Sequence, residues 1–321
     1  MRFRTELEKI KMPFNIGHND KILLLGSCFT ENISTKLWRY KFEILFNPFG
    51  TVYNPYSIAK IIDRLVNNIT VEENELVKRD DLWHHFDFHG EVSGLVKQET
   101  ASKINTLIHA GNDFIQKASV IFLTFGTSIV HRRKDNGEIV ANNHKFPADF
   151  FVKERMGIDT LVSLYTSLLS LLHTVNPDIK TIFTVSPVRH IREGLTANQR
   201  SKAVLHLAIE EIVKSNKNTY YFPAYELLTD DLRDYRFYAD DLVHPSTLAI
   251  EYIWQYFGDV FFDEKTKELN NRIEKITRSL EHKPFFPQSE KHKQFLAALQ
   301  EEIKDFQAQY PYINLGDINL T

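Results

Sequence analysis

The feature that most restricts this 321-residue chain is an alternation of short apolar runs with helix-period segments. Residues 21–25, 43–46, 120–125, 181–185 and 220–222 read as buried strands. Between and around them, 30–40, 57–67, 101–117, 158–174 and 197–214 carry apolar residues at three- and four-residue spacing, the period of a helix with one buried face. Every parallel return requires a crossover, so this alternation dictates a parallel sheet with helices on both faces. The expected fold is α/β: a three-layer α/β/α doubly wound parallel sheet over about residues 20–259, with an inserted hairpin and C-terminal helices.

Two stretches break the rhythm. ELVKRDDLWHHFDFHGEVSG, within about residues 73–94, alternates aromatics and histidines with polar residues and predicts the hairpin. Beyond about residue 262, KTKELNNRIEKITRSLEH and SEKHKQFLAALQEEIKDFQAQY predict two charged amphipathic helices joined by KPFFPQ. The chain therefore divides into an α/β domain, 1–260, and a C-terminal helical extension, 261–321. That extension is expected to pack on the domain or on a second copy, which leaves a homo-oligomer open.

With 39 Lys and Arg against 42 Asp and Glu, a formal charge of −3 supplies no field that would draw a nucleic acid or an anionic membrane. A small or neutral substrate is expected instead. MRFRTELEKIKMPFN has no uninterrupted apolar stretch and does not read as a signal peptide. The window SVIFLTFGTSIV, taken as the longest apolar one, is too short and too interrupted for a membrane span. One cysteine cannot form an internal disulfide, so a cytoplasmic location is expected.

KILLLGSCFTEN, residues 21–32, runs the first strand into Gly26, Ser27 and Cys28. Doubly wound folds bind ligands at the carboxyl ends of their strands. A helix starting at about Cys28 would aim free backbone N–H groups at Ser27, which suits a nucleophile and the oxyanion it generates. The plain alternative is a serine that caps the helix. A nucleophilic serine needs a histidine held by a carboxylate. YADDLVHPSTLAIEYIWQYF offers one: Pro245 fits the first turn of a helix running to about residue 257, which leaves His244 in a loop at the helix entrance. Asp241, three residues earlier, is placed to accept from the imidazole Nδ1 and leave Nε2 free as base.

Gly26-Ser27-Cys28-Phe29, followed by Thr30, together with the terminal D-x-x-H block resembles the GSCFA family. That family is similar to the SGNH (GDSL-like) hydrolases, which carry a serine after strand one and an Asp and His in a terminal D-x-x-H block. The resemblance runs over about residues 3–256 and implies an SGNH/flavodoxin-like sheet. It also implies a serine hydrolase that cleaves a carboxylic ester through an acyl-enzyme, with O-acetyl groups on a sugar or glycan as the candidate substrate. Ser27, Asp241 and His244 would be catalytic, with no cofactor and no metal. The oxyanion hole would combine the Ser27 N–H, Gly50 of NPFGTVYNP, and Ser128, which stands where an SGNH enzyme has an asparagine. Asn54, Asn142 or Asn143 could replace that missing amide. Asn54, Asn143, His144, Arg189, His190 and His85 are the implied substrate-binding residues. The departure at Ser128 also admits a second reading, an SGNH-fold domain that is catalytically weak or inactive and binds a carbohydrate or protein partner.

Rival sites are weaker. Cys28 is expected to point away from Ser27, into the packing between sheet and helix, as an inert small hydrophobe, although a thiol at a helix N-terminus can be reactive. His85, Asp87 and His89 would share one face of a strand and could hold a transition metal, but with His84 they match no closed zinc spacing and read as a lid or substrate wall. Neither G-x-x-x-x-G-K-[ST] nor G-x-G-x-x-G follows the first strand, and the G-x-S-x-G elbow is missing too.

Overall fold

The five apolar runs assemble into one parallel sheet in the computed structural model, which describes residues 4–315. The described strands are β1 (Lys21–Gly26), β2 (Glu43–Phe46), β3 (Val77–Arg79), β4 (Leu82–His84), β5 (Val120–Phe125), β6 (Ile129–Arg133), β7 (Ile139–Val140), β8 (Phe151–Arg155), β9 (Lys180–Val185) and β10 (Thr219–Tyr221). The helices are α1 (Cys28–Arg39), α2 (Pro55–Asn67), α3 (Lys97–Ile115), α4 (Ile158–Val175), α5 (Leu195–Ser215), the single turn α6 (Ala224–Glu226), α7 (Thr247–Phe261), α8 (Glu264–Leu280) and α9 (Glu290–Gln309).

The central sheet runs β10-β9-β5-β1-β2 with every pair parallel. Alternate residues of its strands serve opposite layers, as the two-residue period requires. Leu23, Leu25, Leu123, Phe125 and Phe183 pack beneath α2, α3, α4 and α5. Ile22, Leu24, Phe122 and Ile182 pack on α1 and α7 through Phe29, Ile33, Ile253 and Phe257. Counting only the strands of this sheet, the order is 2-1-3-4-5, so the direction of winding reverses between β1 and β5. The crevice beyond their carboxyl ends is where such folds open a ligand site.

β3 and β4 form the expected hairpin, closed by Asp80 at φ 52°. A second, antiparallel sheet, β7-β6-β8, was not foreseen. Its strands are short, and β6 and β8 end in charged residues (IVHRR, FVKER), so their alternation is too brief to stand out from a loop. Two other expectations change. Pro245, expected in the first turn of α7, lies just outside it, and Ser246 caps the helix, its side chain accepting from the Ala249 N–H. α4 exceeds the longest apolar window noted in the sequence and is long and apolar enough to cross a membrane by length and composition. Its Leu161, Tyr165, Leu168, Leu169 and Leu172 pack into the domain core.

α8 and α9 pair around their own core of Leu269, Ile273, Ile276, Leu299, Ile303 and Phe306. Arg39 at the end of α1 donates to Glu274 at 3.1 Å and to Glu281 at 2.7 Å, fastening α8 to the α/β domain of the same chain.

The turn that ends β1 depends on Gly26. Its φ is +142°, and a Cβ there would lie 2.3 Å from the Thr124 carbonyl oxygen of β5. No side chain fits without parting the two strands. Gly26→Ala is therefore expected to lower unfolding free energy by about 3 kcal/mol or more, measured by urea denaturation; a loss below about 1 kcal/mol would show that the approach of β1 and β5 is not obligatory.

Candidate active site

Beyond Gly26 the chain leaves β1 and enters α1 within one residue. Ser27 occupies the N-cap position in extended conformation, yet its side chain makes no capping hydrogen bond. Its N–H donates to the Thr124 oxygen at 3.2 Å, continuing the sheet. The residue is fully buried, and its Oγ has no hydrogen-bond partner among the described residues. It neither caps the helix nor meets the histidine expected to be its base.

That histidine belongs to the loop before α7. The His244 Nδ1–H donates to Asp241 Oδ2 at 2.6 Å, while Asp241 Oδ1 accepts the N–H groups of Val243 and His244, both at 2.9 Å. Leu242 adopts φ +58° to close this turn, a conformation that costs a β-carbon-bearing residue about 1 kcal/mol or more. The His244 N–H, the imidazole Nδ1–H and the Val243 N–H hold the Asp241 carboxyl down at about 2, so it is ionised at neutral pH. The tautomer that donates from Nδ1 leaves Nε2 as an acceptor.

Nε2 faces Cys28, whose Sγ is 3.4 Å away. Contrary to expectation, the thiol is turned toward the crevice rather than lost in the packing, although its flank does contact the α1–α7 core. The reason is local: Cys28 is the first residue of α1, and its Cβ direction is set by the helix that Ser27 initiates. Burial and Glu31 push the thiol above its ordinary value, opposed by the backbone N–H groups of Cys28 and Phe29 and by the charge on Lys202.

Cys28 and His244 lie on one wall of a cleft of about 500 Å³. Its other walls come from the end of β5 (Thr127), the unforeseen second sheet (Ile129, His131) and the loop after β9 (Arg189, His190). Of the residues expected to bind substrate, Asn54, Asn143, Arg189 and His190 line this cleft. His85 and His144 do not. His85 is buried beside Glu75 and accepts the Asp87 N–H, while His144 is buried against His84 and bonds the His85 carbonyl at 2.9 Å. The hairpin reaches the cleft through His89 instead. The face-sharing strand imagined for His85, Asp87 and His89 ends at His84, and Asp87 pairs with Lys60 and Arg64.

The oxyanion hole also differs. Gly50 N–H donates to the Asn47 oxygen at 2.8 Å, and the missing Cβ makes room for His89, so Gly50 is a packing glycine and not a free donor. Ser128 is fully buried, its N–H donating to Ser201 Oγ at 2.7 Å and its Oγ to the Ser201 oxygen at 3.2 Å, which ties β5 to α5. Of the asparagines considered for the missing amide, Asn54 caps α2, its Oδ1 accepting the Ser57 N–H at 2.8 Å, and Asn54, Asn142 and Asn143 all line the cleft.

Two bases at the site have buried nitrogens, one in the cleft wall and one beneath it. His190 Nε2 is buried without a partner among the described residues, and burial holds the ring at about 4, hence neutral. Lys202, buried on α5, donates to the carbonyl oxygens of Gly126 and Ser186 at 2.7 Å each, clamping the ends of β5 and β9. Burial lowers its ammonium to about 7. Sequence reading passed over it, although Asn198, Ser201, Lys202, Leu205 and Ile209 share one helical stripe.

A family model described as the GSCFA family matches residues 21–257, and one described as the C-terminal domain of GSCFA domain proteins matches residues 273–318. No curated protein matches the chain. Among solved structures, a family 3 carbohydrate esterase from Talaromyces cellulolyticus aligns at a TM-score of 0.36 and 12% identity, covering 78% of this chain and 98% of its own. A family 3 carbohydrate esterase from Clostridium thermocellum aligns at a TM-score of 0.33 and 12% identity, covering 78% and 97%.

Lys202 makes a pH prediction. Its folded value near 7 lies below its ordinary 10.5, so between these values the unfolded chain binds more protons and stability rises with pH. From about pH 7 to about pH 9 this contributes on the order of 2 kcal/mol. Chemical denaturation of wild type and Lys202→Met should show that rise in the first and its loss in the second. Parallel pH profiles would show that Lys202 is not held below its usual range.

Proposed function

The chain belongs to the GSCFA family, and from that footing we propose that it hydrolyses carboxylic esters through an acyl-enzyme formed in the crevice beyond β1 and β5. The observation that carries the reading is the Asp241–His244 pair, an oriented imidazole whose free Nε2 faces the first turn of α1. A nucleophile on that turn attacks the ester carbonyl as His244 takes its proton. The imidazolium so formed is stabilised by the ionised Asp241 and then protonates the departing alkoxide. The backbone N–H groups of Cys28 and Phe29, which open α1 and act on the Cys28 sulfur, supply stabilisation for oxyanion charge developing beside it. Water repeats the attack on the acyl-enzyme and releases the acid.

For the substrate we favour an O-acetyl group on a sugar or glycan. The cleft combines side-chain amides of Asn54, Asn142 and Asn143 with His131 and the ring of Tyr53, a lining suited to hydroxyl-rich ligands. Arg189, stacked 4.4 Å over Tyr238, presents its guanidinium at the rim.

Hydrolysis of p-nitrophenyl acetate tests the reading. His244→Ala should lower kcat/KM by about 10³-fold or more and Asp241→Asn by about 10²–10⁴-fold, with both variants still folded by circular dichroism because both side chains are half exposed. Equal rates in wild type and His244→Ala would overturn it.

A further inference from the structure

We propose that Cys28, not Ser27, is the nucleophile of this site. The inference rests on the hydrolase reading above and names the atom that attacks.

Three observations converge. The base addresses the thiol: His244 Nε2 is 3.4 Å from Cys28 Sγ, whereas Ser27 Oγ is buried with no partner among the described residues and Ser27 does not line the cleft. The donors favour residue 28 as well. Ser27 N–H is committed to the Thr124 oxygen, while Cys28 opens α1, and its N–H and that of Phe29 offset part of the cost that burial and Glu31 place on a charged sulfur. An oxyanion formed by attack from Sγ would meet an available N–H of its own nucleophile; one formed from Ser27 Oγ would not. Finally, the sulfur has a destination for its proton. Burial and Glu31 keep the thiol above its ordinary range, so the resting group is S–H, and transfer to His244 accompanies attack.

The step balances without a redox partner. The S–H proton passes to His244 Nε2 as the S–C bond forms and the carbonyl π pair moves to oxygen. Collapse breaks the C–O bond, and His244 returns the proton to the alkoxide. The resulting thioester is attacked by water, which gives a proton to His244. The C–S bond then breaks, and the proton returns to Sγ, leaving acid, alcohol and free thiol.

Because the chain contains one cysteine, alkylation by iodoacetamide reports on Cys28 alone. With the full chain, one equivalent of iodoacetamide should abolish p-nitrophenyl acetate hydrolysis. Alkylation at neutral pH should slow about tenfold or more in His244→Ala, and Cys28→Ala should lose about 10³-fold or more in kcat/KM. The alkylation arm uses wild type, so it stands even if Cys28→Ala fails to fold. Hydrolysis that survives alkylation or Cys28→Ala and disappears in Ser27→Ala, with a fluorophosphonate labelling Ser27, overturns the inference and leaves the hydrolase reading intact. If wild type hydrolyses no ester and His244→Ala is alkylated as fast as wild type, both are overturned together.

Discussion

The close approach of β1 and β5 at their carboxyl ends is the constraint on which the rest of the site depends. Gly26 abuts the Thr124 carbonyl with no room for a side chain, receives the Asn47 carboxamide oxygen on its N–H at 2.9 Å, and offers its own oxygen to the Val52 N–H at 3.0 Å. These contacts hold the end of β1 and make α1 begin abruptly. The first residue of α1 then projects into the crevice at the switch point of the sheet. Lys202 braces the same edge from below by joining Gly126 and Ser186. A floor of this kind lets the imidazole of an exposed loop meet a thiol some two hundred residues away in the chain.

The fold was legible because its strands are apolar and its helices periodic. Leu23 and Leu25 against Ile22 and Leu24 show why: a strand buried on both faces reads as one unbroken run, and its layers separate only once helices pack on either side. The C-terminal helices were legible for the opposite reason, since a charged stretch is helical only where Leu269, Ile273 and Ile276 recur on one stripe. The small sheet β7-β6-β8 escaped notice because strands of two to five residues carry too little pattern, yet it builds one wall of the cleft.

At the site, types and spacing were readable and directions were not. Asp241 and His244 are adjacent in sequence, so a single turn brings them together and their relation follows from spacing. Ser27 and Cys28 do point to different sides, but which side faces the crevice depends on the twist of β1 and on an extended N-cap, with ψ 172°, ahead of the helix. Gly50 and Ser128 failed as oxyanion donors for another reason. Whether an N–H or hydroxyl is free depends on every neighbour it could satisfy, and Asn47 and Ser201 had already done so. The stripe that carries Lys202 was visible, but a lysine on it reads as a helix flank until burial is known.

One chemical identity decides the mechanism, the atom of the turn after β1 that carries the acyl group. Acid-quenching the enzyme during turnover of a short-chain ester and mapping the modified peptide by mass spectrometry would identify it. The expected result is an acyl group on Cys28, labile to neutral hydroxylamine as a thioester is. An acyl group stable to that reagent and mapped to Ser27 would contradict it.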